Sequence, residues 1–117
     1  MTTGSTWFCD CGEPTCKNTY IDLERIVDEE AHITWLEFRT GDDDGARSIF
    51  SMPVVFLADM LDQPEEQQQI CYGDPNNRLE LDCCGGEFSL ETVDGYTSLL
   101  IDEEFITMLK EEVYGTV

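Results

Sequence analysis

Carboxylates at alternate positions are the side chains in this sequence best suited to chemistry, because they can bind cations or basic protein surfaces. Asp22 with Glu24, and Glu80 with Asp82, are two such pairs within expected strands. Alternate residues of a strand point to one face and lie about 6.6 to 6.8 Å apart. That spacing is similar to the spacing between successive phosphates of an extended nucleic-acid strand. We therefore expect sheet faces that carry rows of negative charge.

Glu87 and Glu91 continue the second row on the following strand. The dipeptides Gly85-Gly86 and Asp94-Gly95 suit two-residue hairpin loops, which need positive φ. Loops of that length predict that Glu80 lies directly opposite Glu91. Like charges in such a position destabilise a sheet, so folding alone gives no reason for them. We interpret this acidic face as a binding surface for a partner.

A third acidic group is the run Gly41 to Gly45, GDDDG, which predicts a turn. Its consecutive aspartates do not match the alternate ligands, central glycine and final glutamate of an EF-hand loop. A solvated turn is therefore the better interpretation. The acidic residues predicted to bind a partner are Asp22, Glu24, Asp42, Asp43, Asp44, Glu80, Asp82, Glu87 and Glu91.

The N-terminal cysteines offer a second kind of chemistry. Cys9, Cys11 and Cys16 are spaced C-x-C-x4-C, and a distant cysteine or His32 would complete a tetrahedral zinc site. Zinc sites more often use C-x2-4-C pairs, so the spacing departs from the usual pattern. The alternative is that these residues are small, buried apolar side chains. A zinc-binding structural or accessory domain is thus the second hypothesis.

Residue types expected of an enzyme are scarce. His32 is the one histidine, and no G-x-S-x-G, P-loop, HExxH or dinucleotide-binding motif occurs. Carboxylates are so frequent that no single pair identifies a glycosidase site. We therefore expect a protein without enzymatic activity.

The charge balance defines the class of partner. The chain has 26 Asp plus Glu against 6 Lys plus Arg, a net charge of −20. Such a charge repels nucleic acids and anionic membranes and accelerates encounter with basic proteins. Lysine is limited to Lys17 and Lys110, and an acidic, lysine-poor surface also suits high salt. Adaptation to high salt, with no partner at all, is the third hypothesis.

The expected localisation rests on the lack of a signal-peptide pattern and of a membrane-spanning stretch in the sequence. The first ten residues, MTTGSTWFCD, have neither the cationic start nor the apolar run of a signal peptide. No apolar stretch approaches the length of a membrane span. We expect a cytoplasmic protein, in the host cytoplasm if it is viral, with reduced cysteines.

The strands and helices expected to position these residues together indicate an α+β fold. Alternating patterns predict strands at 19–27, 32–39, 46–50 and 70–72, followed by a three-strand meander over 78–101. Helical spacing from residue 54 and after Asp102 predicts two helices, with Ser51 as the N-cap of the first. Residues 5–18 are expected to be a loop. The prediction is one domain over 1–117, in which two helices pack on one face of a twisted antiparallel sheet of six or seven strands.

Together these features predict an acidic interaction protein that occupies and inhibits the basic nucleic-acid-binding surface of a partner. The partner class would be a nucleic-acid-processing enzyme or complex. Small acidic α+β proteins of this composition include nucleic-acid mimics, phage inhibitors of host defence and immunity proteins against nuclease toxins. That likeness is one of composition alone.

Overall fold

The computed structural model of the chain describes residues 3–9, 18–45 and 47–114. No helix in this part of the chain has the length and apolar character needed to cross a membrane. In chain order the elements are β1 Thr3–Phe8, β2 Tyr20–Asp28, β3 Ile33–Gly41, β4 Arg47–Pro53, α1 Val54–Leu61, a 3-10 helix Glu65–Gln67, β5 Gln69–Asp74, β6 Asn77–Asp82, β7 Glu87–Thr92, β8 Gly95–Leu100 and α2 Glu103–Tyr114.

The strands form two antiparallel sheets of four strands, each in sequence order. The first, sheet A, is β1-β2-β3-β4, and the second, sheet B, is β5-β6-β7-β8. The α+β class is confirmed, whereas the expectation of one sheet with six or seven strands is wrong. The chain leaves sheet A through α1 and the 3-10 helix, and β5 then starts a new sheet by pairing with β6.

The inner faces of the two sheets pack on each other and on the helices. Phe38 of β3 meets Phe88 of β7 at 6.0 Å between ring centroids, and Phe88 meets Phe105 of α2 at the same distance. Trp7 of β1 completes the row with an edge contact to Phe105 at 5.6 Å. These residues belong to one hydrophobic cluster that includes both sheets and both helices. Because the inner faces meet, the outer faces of sheets A and B point away from each other.

β1 lies where a loop is expected from the sequence. Its sequence, TGSTWF, includes threonine, tryptophan and phenylalanine, which favour strands, but apolar and polar residues do not alternate along it, so the pattern does not indicate a strand. Tertiary contacts decide the conformation. The strand pairs with β2, and Trp7 is buried with its Nε1–H donating to Asp102 Oδ1 at 3.0 Å. Ser5 Oγ also donates to Glu112 Oε1 of α2 at 2.7 Å.

Both helices begin close to their expected positions. α1 starts after Pro53, while Ser51 remains in β4 and is not the N-cap. The backbone of Ser51 is still paired in the sheet opposite Glu37, so it is not available to open the helix. At α2, Asp102 Oδ1 accepts the backbone N–H of Phe105 at 3.1 Å, as a capping aspartate should.

The hairpins of sheet B differ from the predicted register by two residues. The β6–β7 turn contains four residues, Cys83 to Gly86, instead of Gly85-Gly86 alone. Asp82 Oδ1 accepts the Gly85 N–H at 2.9 Å and so stabilises this wider turn. As a result Glu91 lies opposite Arg78, and Glu80 lies opposite Ser89. The predicted Glu80–Glu91 pair is therefore wrong.

The second hairpin is displaced by the same amount. Thr92 pairs with Gly95, so the two-residue loop is Val93-Asp94 rather than Asp94-Gly95. Gly95 has φ 153°, a conformation that favours glycine. It is the first residue of β8, however, and does not lie within the loop. A shift of two residues preserves which side chains face inward, because side chains alternate with a period of two.

Candidate protein-binding surface

The outer face of sheet B carries the densest set of predicted binding residues. Strands β6 and β7 contribute four carboxylates on this face, two from each strand. Asp82 lies directly opposite Glu87 in the register. The sheet thus contains a like-charge cross-strand pair, although a different pair from the predicted one. Such a pair destabilises a sheet slightly when no cation compensates for it. The four residues are Glu80, Asp82, Glu87 and Glu91.

Arg78 partly neutralises one end of this face. Its guanidinium lies 3.5 Å from Glu80 Oε1 and 3.3 Å from Glu91 Oε2. All three side chains are substantially exposed, so these ion pairs contribute little to stability. Within the described residues, no basic side chain forms an ion pair with Asp82 or Glu87. The negative charge is therefore concentrated at the end of the face distant from Arg78.

An open groove of about 460 Å³ follows this uncompensated end of sheet B. Its charged lining comes from Glu80, Asp82 and Glu87, and Ser89 and Gln69 add polar groups. Cys71 of the edge strand β5 also lines it, with its thiol 3.7 Å from Glu80 Oε1. A lining of carboxylates with hydrogen-bond acceptors suits a cationic side chain from a partner better than an anionic or apolar ligand.

On the outer face of sheet A, an arginine lies among the carboxylates instead of at one end of them. Glu24 of β2 lies opposite Glu37 of β3, and Asp22 lies opposite Arg39. Arg39 lies between these acids, with Nη2 at 2.8 Å from Glu24 Oε2 and Nε hydrogen-bonded to Glu37. Hydrogen bonding and attraction by Glu37, with weaker attraction by Glu24 and Asp22, raise the pKa of Arg39. Asp22 also accepts a hydrogen bond from Thr6 Oγ1. This cluster is partly compensated, because one guanidinium lies among three carboxylates.

The aspartates of the GDDDG segment lie in the turn between β3 and β4, as expected. Asp42 organises the turn, since its Oδ1 accepts the Asp44 N–H at 2.9 Å and its carbonyl accepts the Gly45 N–H at 3.1 Å. Asn18 donates to Asp43. These contacts are those of a hydrated turn.

The predicted binding residues therefore do not form one continuous surface. The four on sheet B lie together, whereas Asp22 and Glu24 are on the outer face of sheet A, on the opposite side of the molecule. Three residues absent from the prediction belong to these faces: Glu37, Arg39 and Arg78. The signal for Arg78 was available, because it alternates in sequence with Glu80 and Asp82, whereas Glu37 and Arg39 lie on a strand that carried no predicted binding residue.

The predicted zinc ligands are only partly covered by the structure. Cys9 is half-buried and packs against the core cluster, while Cys11 and Cys16 lie outside the described residues. His32 lies in the β2–β3 turn, which follows the last residue of β2. The Cys9 N–H donates to the carbonyl of Thr19, which comes directly before the first residue of β2. The length of β2 separates them by roughly 25 to 30 Å. His32 therefore cannot share a zinc ion with Cys9, since both would need to lie about 2 Å from the metal.

Two of the other cysteines, Cys83 and Cys84, are neighbours in the β6–β7 turn. Among the described residues, no three His, Cys, Asp or Glu side chains are arranged to hold a metal ion.

Comparison with known proteins adds no assignment. No family model matches the chain, and no curated protein or solved structure shows significant similarity to it.

Proposed function

We propose that the protein is a non-enzymatic inhibitor that uses the outer face of sheet B to occupy a basic, nucleic-acid-binding surface of a partner protein. The observation that supports this most directly is the uncompensated pair of Asp82 and Glu87 beside the acidic groove. A sheet gains nothing from two opposed carboxylates in isolation. The pair becomes favourable when a partner supplies the cation that no residue of the described part of the chain provides.

Sheet B is the better candidate of the two acidic faces. On sheet A, Arg39 already occupies the centre of the carboxylate cluster, so a partner's arginine would have to displace it. On sheet B, Arg78 engages Glu80 and Glu91 at one end and leaves the other end open. A partner that normally grips phosphates would present arginines and lysines, which bind carboxylates in the same bidentate or point-charge manner.

The overall charge of −20 has a separate role in this proposal. Long-range attraction accelerates encounter with any basic surface, whereas close contacts in the groove decide which surface is held. The rate of association should therefore depend on total charge and salt. The lifetime of the complex should depend on the particular carboxylates of sheet B.

Matched variants of equal charge separate these two contributions. The first carries Glu80→Gln, Asp82→Asn and Glu87→Gln, and asparagine at 82 retains the oxygen that accepts the Gly85 N–H. The control carries Glu29→Gln, Glu30→Gln and Glu66→Gln, all at exposed positions away from the sheets' outer faces. Each triple variant has a net charge of −17, that is −20 plus 3.

The experiment captures basic proteins from a nuclease-treated lysate on the immobilised chain and then adds duplex DNA as a competitor. We expect DNA to release the specific partner, the sheet B variant to capture much less of it, and the control variant to capture it normally. Equal losses for both variants would show that only total charge matters. A captured partner that still binds DNA while held would also contradict the proposal.

A further inference from the structure

The outer face of sheet B continues beyond the carboxylates onto β8, where two of its side chains are large and apolar. Tyr96 lies opposite Glu91, and Leu100 lies opposite Glu87. Directly paired residues project to the same side of a sheet, so these side chains share the outer face with the carboxylates. Tyr96 is 64% exposed and Leu100 is 71% exposed. The face thus combines negative charge on β6 and β7 with exposed apolar groups on β8.

These two apolar side chains lie outside the core. Of the described residues, neither belongs to the hydrophobic cluster that joins the sheets and helices, nor to the half-buried residues packed against it. The ring of Tyr96 contacts no other described aromatic ring. Tyrosine is enriched among the residues that dominate the binding energy of protein interfaces. Both side chains are therefore available to a partner.

The charged and the apolar side chains form two parallel lines in register. Glu87 and Glu91 are four residues apart on β7, as Tyr96 and Leu100 are on β8. The two members of each line are thus about 13 to 14 Å apart, with a pair of serines between the two ends. Each apolar side chain has a carboxylate directly beside it, with about 5 Å between the Cβ atoms.

The apolar line also has acidic residues near its far side. A cleft of about 170 Å³ runs along β8 and is lined by residues 96–99 of that strand and by Thr19, Gly41 and Asp42. Asp42 is the first aspartate of the GDDDG turn. A partner group that covers Tyr96 therefore lies between the carboxylates of β7 and this acidic turn. Charge complementarity requires that basic side chains of the partner flank its apolar contact.

A line of negative charge beside a line of exposed apolar groups is the pattern of a single-stranded nucleic acid, in which the base faces are accessible next to the phosphates. Proteins that bind single strands combine a basic groove with aromatic side chains on which the bases stack. In a duplex the base faces are stacked inside the helix, and proteins contact phosphates and groove edges. Carboxylates alone fit both classes of protein, whereas the apolar line on β8 fits the first class better.

We propose that the partner is a single-strand-binding protein, whose groove is held by the carboxylates of β6 and β7 and whose stacking aromatic side chains pack on Tyr96 and Leu100. This inference rests on the proposed function and specifies the class of the partner. Arginine and lysine of the groove bind the carboxylates as they bind phosphates. Its aromatic rings pack on the Tyr96 ring in an offset or edge-to-face arrangement.

The two ends of the face contribute differently to binding. Beside Leu100, Glu87 forms no ion pair with any described residue, so attraction of a partner's cation dominates there. Beside Tyr96, Arg78 lies 3.3 Å from Glu91 and neutralises part of its charge. Packing on the tyrosine ring therefore dominates at this end, and salt should weaken that contact little, because it is not ionic.

Competition between nucleic acids tests the class of the partner. The partner is captured on the immobilised chain and released with a single strand of about 30 nucleotides, of DNA or of RNA, or with a DNA duplex. We expect single strands to release it at a phosphate concentration at least about tenfold lower than the duplex requires. A duplex of equal or greater potency would overturn this inference and leave the proposed function intact. Release by neither competitor would refute the proposed function, and this inference with it.

Uncharged double variants test the apolar line itself. Tyr96→Ala with Leu100→Ala keeps the net charge at −20 and should weaken binding of the partner at least about tenfold. The control, Phe8→Ala with Ile49→Ala, removes an aromatic and an aliphatic side chain that are 61% and 60% exposed on the outer face of sheet A. It should bind as tightly as the unchanged chain. Equal affinity of the two double variants would contradict the proposal.

Salt dependence separates packing on Tyr96 from attraction of charge. The fold-loss of affinity caused by Tyr96→Ala should stay constant as NaCl rises, whereas the loss caused by Glu87→Gln should shrink through screening. Tyr96→Phe retains the ring and should bind like the unchanged chain, with circular dichroism as the check that each variant is folded. A folded Tyr96→Phe variant as weak as Tyr96→Ala would exclude packing on the ring as the source of affinity.

Discussion

Neutralising Glu87 and neutralising Glu91 should have opposite effects on stability, although each changes the net charge from −20 to −19. Glu87 lies opposite Asp82, so Glu87→Gln removes a like-charge cross-strand pair. Glu91 lies opposite Arg78 with 3.3 Å between Oε2 and Nη2, so Glu91→Gln removes an attraction. The relief of overall self-repulsion is common to both variants and cancels in the comparison.

The expected magnitudes follow from the geometry. Relief of a directly opposed like-charge pair is worth about 0.2 to 1 kcal/mol. The Arg78–Glu91 pair is 39% exposed at both side chains, so its loss costs about 0 to 1 kcal/mol. Glu87→Gln should therefore be the more stable variant by up to about 2 kcal/mol. For a domain of this size, 1 kcal/mol shifts Tm by roughly 4 °C.

Urea unfolding followed by circular dichroism, at low and at molar NaCl, measures this difference. The gap between the variants should narrow at high salt, because both interactions are exposed and screened. The two-residue loop predicted from the sequence would instead place Glu91 opposite Glu80. Under that register Glu91→Gln would be the stabilising change. If Glu91→Gln proves as stable as Glu87→Gln or more so, the register and the reasoning built on it are wrong.

Three further predictions concern the core, a thiol and a cap. Phe88→Ala should cost about 3 to 5 kcal/mol of unfolding free energy in denaturant titrations, because the ring joins the two sheets and α2; a cost below 1 kcal/mol would contradict that packing. Burial and the nearby Asp82 charge raise the pKa of Cys83 from 9.0 to about 11. The folded state thus holds this proton more tightly than the unfolded state, so stability present below pH 9.0 is lost as pH rises to about 11. Cys83→Ala should show a smaller alkaline loss in unfolding titrations, and an identical pH profile would refute the assignment. Asp102→Ala should cost about 1 to 4 kcal/mol in thermal melts, since it removes both the α2 cap and the partner of Trp7 Nε1; Asp102→Asn should retain most of this stability, and equal losses would exclude the hydrogen-bonding explanation.

Which residues face the core could be predicted from the sequence. Alternation along β6 and β7 by itself predicts that Leu79, Leu81, Phe88 and Leu90 face inward, and all four are buried. This prediction survives the wrong turn length, because the register shifted by an even number of residues. The pairing partners depend on the turn itself. Gly85-Gly86 favours a two-residue loop, yet the Asp82 side chain stabilises a loop of four residues by accepting the Gly85 N–H. A prediction from the dipeptide alone does not take this side-chain contact into account.

The number of sheets could not be predicted from the same information. Hairpin signals identify strands that are adjacent in sequence, but whether β5 joins β4 or starts a second sheet depends on packing across the core. β1 was missed for a related reason. Its strand conformation depends on pairing with β2 and on burial of Trp7 against α2, both of which involve residues distant in sequence.

The sequence was sufficient to predict that the carboxylates of β6 and β7 share the outer face of the sheet. It was not sufficient to predict which of them form ion pairs. Alternation identified Glu80, Asp82, Glu87 and Glu91 as outward residues, which the strand pairing confirms. The compensating roles of Arg39 and Arg78 required the register, because an ion pair depends on which residues lie opposite. Sequence alone therefore overestimated the free charge of sheet A and identified the wrong opposed pair on sheet B.

The contacts between β1 and α2 also have a consequence for synthesis of the chain. The Trp7–Asp102 and Ser5–Glu112 hydrogen bonds span 95 and 107 residues of sequence. At about 5 to 20 residues per second, a ribosome needs roughly 5 to 20 s to produce the helix that covers the first strand. During that interval the indole of Trp7 lacks its covering helix, and contacts of such long range also slow folding. The nascent chain should therefore depend on a chaperone, or on its own charge, to remain unaggregated until α2 emerges.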